Sequence, residues 1–160
     1  MRTEFVDIRE IRQAGKGTQA TRIRFAPPGE CIDFTVYGQA IPMARPRVCH
    51  TVAGVRTFNP ASSTAWKQCV ALQSLEHRPS ELMEGPLELE LTFHLMRPKS
   101  KPRRVKLPDC KPDLDNLEKA VMDALEGLFY RNDSQIVSKT ARKVYGDPPR
   151  VDVRIRGVDK

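Results

Sequence analysis

The sequence predicts an α/β (α+β) fold, with one small mixed β-sheet and two main helices packed on it. Three observations lead there. Residues 31–37, 87–95 and 151–155 alternate apolar and polar side chains, the period of a half-buried strand. Two other stretches, opening near residues 59–60 and near 116, repeat apolar residues at helical spacing. The two kinds of element interleave along the chain instead of segregating into halves. A length of 160 residues suits one domain with a core of its own.

In chain order, residues 1–30 are polar and broken by "AGKGTQ" and "APPGE". They read as an N-terminal extension of unassigned role, with the folded domain over 31–160. Ile32, Phe34 and Val36 then alternate with Asp33, Thr35 and Tyr37 as a first strand. A loop carrying Arg45 and Arg47 follows, and 48–58 fits a short hairpin around Gly54. Asn59 as N-cap and Pro60 as first helical residue open a helix through Trp66, Cys69 and Val70 that stops before Pro79. Leu87, Leu89, Leu91, Phe93 and Leu95 form the apolar face of the clearest strand, and His94 lies on its polar face. A second helix over about 116–126 presents Leu117, Ala120, Val121, Ala124 and Leu125 on one side, and Gly127 suits the left-handed position after its end. A turn at "RND", a strand near 135–145 and a last strand through Val151, Val153 and Ile155 complete the chain.

A composition of 39% hydrophobic and 29% charged residues fits a globular rather than a disordered chain, and no apolar run is long enough to span a bilayer. Without a signal-like leader, and with Cys31, Cys49, Cys69 and Cys110 widely spaced, the expectation is a cytoplasmic protein with reduced thiols. The net charge of +7 favours a polyanionic partner, and its distribution says more than its size. Seven Lys or Arg fall between Arg97 and Lys111 (97, 99, 101, 103, 104, 106 and 111) against the single acid Asp109. Pro98, Pro102 and Pro108 keep this stretch out of helix and central strand. A basic extended loop therefore runs straight into "DLDN" at 113–116.

Asp115 alone reads as an N-cap, with Glu118 three residues on at capping-box spacing. That leaves Asp113 unexplained. If 113–115 is extended, both carboxylates share a side, an arrangement that costs energy unless a cation and the helix dipole offset it. A third acid strengthens the metal reading. The helix is about 16 Å long, and 128–133 can span up to roughly 20 Å, enough to bring Asp133 back beside the pair. Three carboxylates at a positive helix end suit Mg²⁺, with Mn²⁺ able to replace it. Lys119, four residues after Asp115 on the same face, would reach a phosphate oxygen. An EF-hand is excluded, because Leu117 and Glu118 stand where it needs an oxygen ligand and a glycine.

The stretch "KPDLDNLEKAVMDALEGLFYRNDSQIV" (111–137) closely resembles the signature of the RusA family of Holliday junction resolvases, D-x-D-N-x-x-K-x-x-x-D-A-L followed by D-x-Q. A looser likeness covers "YGQAIPMARPR". The resemblance implies a homodimer with three catalytic, metal-binding aspartates, Asp113, Asp115 and Asp133, and an active-site lysine, Lys119. It implies supporting roles for Asn116, Gln135 and Asp123, the last by pairing with a nearby base. The activity it implies is Mg²⁺-dependent cleavage of DNA four-way junctions by paired symmetric nicks, in recombination or repair of a phage or prophage type. Arg45, Arg47, Lys99, Lys101, Arg103, Arg104, Lys106 and Lys111 would grip the phosphate backbones. A nuclease of broader branched-DNA or flap specificity, or a DNA-binding protein that does not cut, are the alternatives.

Overall fold

The structure, a computed structural model, describes residues 30–43, 47–51, 54–58 and 60–159. Its elements are β1 (Cys31–Tyr37), β2 (Arg47–Thr51), β3 (Gly54–Phe58), α1 (Ala61–Ser74), β4 (Leu87–Leu95), α2 (Leu114–Leu125), β5 (Ile136–Tyr145) and β6 (Arg150–Gly157). Single 3-10 turns lie at Leu75–His77 and Asp133–Gln135. Four strands make one sheet in the order β1-β6-β4-β5, and β2 and β3 form a separate antiparallel pair. β6 runs antiparallel to both its neighbours, whereas β4 and β5 are parallel. The fold is thus α+β, a mixed sheet with two main helices, as the alternation and helical spacing predict.

One face of the sheet carries the core. Leu87, Leu89, Leu91, Phe93 and Leu95 of β4 are buried, beside Val151, Val153 and Ile155 of β6 and Phe34 and Val36 of β1. Leu117, Ala120, Val121, Ala124 and Leu125 of α2 close over them, with Trp66 and Val70 of α1 in the same cluster. Each leucine buried in this way stabilises the fold by about 1.5–3 kcal/mol relative to exposure. Parallel strands cannot be joined by a hairpin, so β4 reaches β5 by a crossover that contains the basic loop and α2. A register shift at the start of the β4–β5 pair leaves Val137 exposed on this edge strand and puts Lys139, Ala141, Lys143 and Tyr145 opposite the apolar row of β4.

Several boundaries differ from the expectations. α1 begins at Ala61 with Pro60 as its cap residue, the Pro60 carbonyl accepting from the Ser63 and Thr64 amides; Asn59 lies outside the described residues. Gly54 is the first residue of β3 rather than part of the turn. α2 begins two residues earlier than expected, at Leu114, and its cap is Asp113, not Asp115. The capping box does not form, because the Glu118 carboxylate, only 8% exposed, pairs instead with Lys139 Nζ at 2.7 Å. Gly127 has φ +77°, the left-handed conformation expected of it. Among the described residues no helix is long and apolar enough to cross a membrane. Cys31, Cys69 and Cys110 are free thiols.

His94 is on the polar face of β4, its Nε2 2.7 Å from Asp152 Oδ2. Burial pushes the Asp152 carboxyl up, but hydrogen bonds from Thr35 and His94 outweigh it and hold the group below its ordinary value. The turn after β5 closes over this pair. A Cβ added at Gly146 would fall 2.7 Å from His94 Nδ1 and 2.8 Å from its Cβ. Gly146→Ala must therefore displace a side chain that Asp152 holds, and we expect it to destabilise the fold by about 1–3 kcal/mol in urea unfolding. An unchanged midpoint would show that His94 is free to give way.

Candidate active site

α2 lies antiparallel to β5, so its first turn sits at the carboxyl ends of β4 and β5. The Lys139–Glu118 pair is one marker of this arrangement, and hydrogen bonds from Lys143 to the carbonyls before Asp113 are another. Three segments meet there. The Met43 amide donates to the Asn116 carbonyl at 2.8 Å, docking the loop after β1 on the helix start. Met96, just after β4, donates its amide to Gln39 Oε1 at 3.2 Å, tying that loop to the start of the basic loop. The far part of the basic loop returns at Lys106, whose carbonyl accepts from the Tyr145 amide at 2.9 Å.

Asp113 and Asp115 stand at this junction, both exposed. Asp113 is extended (φ −71°, ψ 140°) whereas Asp115 is already in the first helical turn, so the two are not in one extended run as expected. Neither side chain caps the helix. The one hydrogen bond either accepts among the described residues is a long one, 3.4 Å, from Asn116 Nδ2 to Asp115 Oδ1. Two carboxylates without strong partners among the described residues, at the positive end of a helix, are the hard oxygen donors that a divalent cation such as Mg²⁺ takes. The residues present fit that ion as a partial ligand set.

Asp133 does not join them within one chain. The expectation that 128–133 runs back along α2 fails because this segment is anchored where the helix ends. Phe129 and Tyr130 are fully buried, the Gly127 amide donates to the Tyr130 carbonyl at 2.8 Å, and the Tyr130 hydroxyl donates to the Met122 carbonyl at 2.9 Å. Burial pushes the Tyr130 phenol up, with the charges of Glu126, Asp133 and Asp123 adding to it. Asn132 Nδ2 donates to Glu126 Oε1 at 3.2 Å, which holds the residue before Asp133 against the end of α2. From Asp113 to Met122 the helix rises about 14 Å. Among the described residues no group of three or more His, Cys, Asp or Glu is gathered closely enough to hold a metal ion.

Gln135 holds the Asp133 turn. Its Oε1 accepts from the Arg131 and Asn132 amides at 2.8 and 3.1 Å, and its Nε2 donates to the Met83 and Gly85 carbonyls at 3.0 and 3.3 Å. With Asn132 it forms the capping box that the start of α2 lacks. Lys119 is 62% exposed and reaches along the helix to Asp123 at 3.9 Å, and Lys67 of α1 lies 3.9 Å from the other Asp123 oxygen. Asp123 thus has the pairing with a base that the resemblance implied.

The basic loop is built rather than loose. Arg97 donates to the carbonyls of Pro102 and Val105 and stacks 4.8 Å from the Tyr145 ring centroid, and Pro108 is buried. Lys101 pairs with Asp109 at 3.1 Å, and that hydrogen bond holds the Asp109 carboxyl below its ordinary value. Lys99, Arg103, Arg104, Lys106 and Lys111 remain exposed to solvent. Arg47 opens β2, and Arg45 lies outside the described residues. Sequence reasoning missed Lys139 and Lys143. Their parity with Ala141 and Tyr145 places them on the helix-covered side of β5, a signal visible once the strand is assigned.

Comparisons with known proteins identify the family. The family model described as "Endodeoxyribonuclease RusA" matches residues 38–156. An "Uncharacterized protein YqaN" of Bacillus subtilis (strain 168) is 40% identical over 139 residues, covering 81% of this chain and 98% of the relative. A "Crossover junction endodeoxyribonuclease rusA" of Lactococcus phage r1t is 37% identical over 89 residues, 54% of this chain and 67% of that protein. The match spans β4, the basic loop, both ends of α2 and the Asp133 turn, and the chain belongs to the RusA family of endodeoxyribonucleases.

Proposed function

We propose that this chain, as a homodimer, resolves DNA four-way junctions by Mg²⁺-dependent paired nicks, with Asp113 and Asp115 of one copy and Asp133 of the other making each site. The observation that carries the reading is the pair of weakly partnered carboxylates at the start of α2, delivered by a loop dense in exposed cations. The third carboxylate, at the opposite end of α2, requires a second copy if all three serve one metal. A two-fold axis that brings the start of one α2 to the end of the other creates two equal sites, as symmetric cutting of two strands needs.

Mg²⁺ in such a site supplies Lewis-acid polarisation of the scissile phosphate and a more acidic bound water. The chain's own groups do the rest. Lys119 exchanges its long contact with Asp123 for a phosphate oxygen and stabilises the charge that develops there. Asn116 fixes the helix start against the loop at Met43. Lys99, Arg103, Arg104, Lys106 and Lys111, with Arg45 and Arg47, hold the backbones around the branch, and binding through them weakens steeply with salt. Lys101 joins them by leaving Asp109. The name of the phage relative, a crossover junction endodeoxyribonuclease, supports the junction as substrate.

Cleavage of a synthetic four-way junction, with a linear duplex as control, tests this. The native chain should make paired symmetric nicks only with Mg²⁺ or Mn²⁺. Asp113→Asn should lower the rate at least about a hundredfold, beyond the range for loss of a residue that only supports a ligand, while junction binding persists. Binding without cleavage under every metal condition would identify a non-cutting DNA-binding protein. Equal cutting of flaps and junctions would keep the chemistry and remove the junction specificity.

A further inference from the structure

Lys143 occupies a position that stability alone does not favour. It lies on the helix-covered side of β5, paired in register with the fully buried Phe93, and is itself half-buried. Its ammonium donates to the Cys110 carbonyl at 2.7 Å and to the Pro112 carbonyl at 2.9 Å. Pro112 is bonded directly to Asp113, the cap of α2. A half-buried ammonium pays part of its desolvation cost, and one beside a helix N-terminus is repelled by the dipole. Two carboxylates at that same terminus reverse the balance, because the cation offsets their mutual repulsion.

We propose that Lys143 is the positioning residue of the double-aspartate site, fixing the turn at 110–112 so that Asp113 and Asp115 are held together before a metal arrives. This rests on the reading of those aspartates as metal ligands. The role is separable from general stability. The Tyr145 amide ties the same loop at Lys106 independently, and Arg97 ties it at Pro102 and Val105. Loss of Lys143 therefore frees the last turn before Asp113 and leaves the body of the loop attached.

The direction of the metal dependence distinguishes positioning from a mere charge. Removing a cation near a metal site strengthens metal binding if charge is all that Lys143 contributes. Removing a strut weakens it. Lys143→Met keeps the length of the stem and loses the donors, and Lys143→Arg keeps the donors and the charge. In junction cleavage we expect K143M to need about tenfold to a hundredfold more Mg²⁺ for half-maximal rate, with metal-free junction affinity unchanged and K143R close to the native chain. Two readouts besides activity accompany it. Hydrogen exchange over 110–116 should quicken in K143M alone, and the Mg²⁺-induced rise in Tm should shrink. Should K143M fold poorly, Lys143→Gln carries the same comparison.

With Asp113→Asn inactive alongside, a K143M titration that overlays the native one or moves to lower Mg²⁺, with unaltered exchange, overturns the proposal. An Asp113→Asn chain that cuts normally overturns the metal reading itself, and the role of Lys143 falls with it.

Discussion

The parallel pairing of β4 with β5 governs where the chemistry can lie. Two parallel neighbours need a crossover between them, and here that crossover is the basic loop followed by α2. A crossover helix runs antiparallel to its strands, so whatever precedes it sits at their carboxyl ends and whatever follows it sits at their amino ends. Asp113 caps α2 and Asp115 lies in its first turn, whereas Asp133 follows the helix. Their separation is a property of the topology, which no side-chain rotation can undo. The proposed single site of all three acids therefore calls for two copies of the chain with opposite helix ends together.

The same topology gathers positive charge at the carboxyl end. The loop after β1 is joined to the start of α2 by the Met43 amide and to the start of the basic loop by the Met96 amide on the Gln39 side chain, and the basic loop is tied to β5 by the Tyr145 amide. β5 supplies the strut, with Lys139 on Glu118 and Lys143 on the turn before Asp113. Glu118 is buried whereas Lys139 is half exposed, so the pair does little for net stability, but removing the lysine leaves a buried carboxylate without its cation. Such pairs fix the rotation and height of α2 against the sheet, and with them the direction in which its first carboxylates point. In the proposed function, a phosphate drawn in by the exposed lysines and arginines would meet groups already in place.

Much of this was legible in the sequence, for identifiable reasons. The nine-residue alternation of β4 and the apolar face of α2 are local patterns; β4 falls where the periodicity puts it, and α2 begins two residues before. The "DLDN" run and its basic approach stand out as a candidate site because the residue types are unusual together. What escaped depends on contacts far apart in the chain. Glu118 had good capping-box spacing, but a lysine of the next strand claims it. Residues 128–133 were long enough to return along the helix, but Phe129 and Tyr130 are core residues and stop the chain at the helix end. Chain length set the upper bound on reach, and burial decided how much of it was used.

The claim that the site is shared between two copies has one direct test. Chains carrying Asp113→Asn and Asp133→Asn, each inactive alone, are given different tags and co-expressed, and the mixed dimer is purified. A shared site leaves one complete set, Asp113 and Asp115 from the second chain with Asp133 from the first. The mixed dimer should then regain Mg²⁺-dependent cleavage, as single rather than paired nicks. A mixed dimer as inactive as either parent would contradict the account, because sites built within single chains are both broken in that pairing.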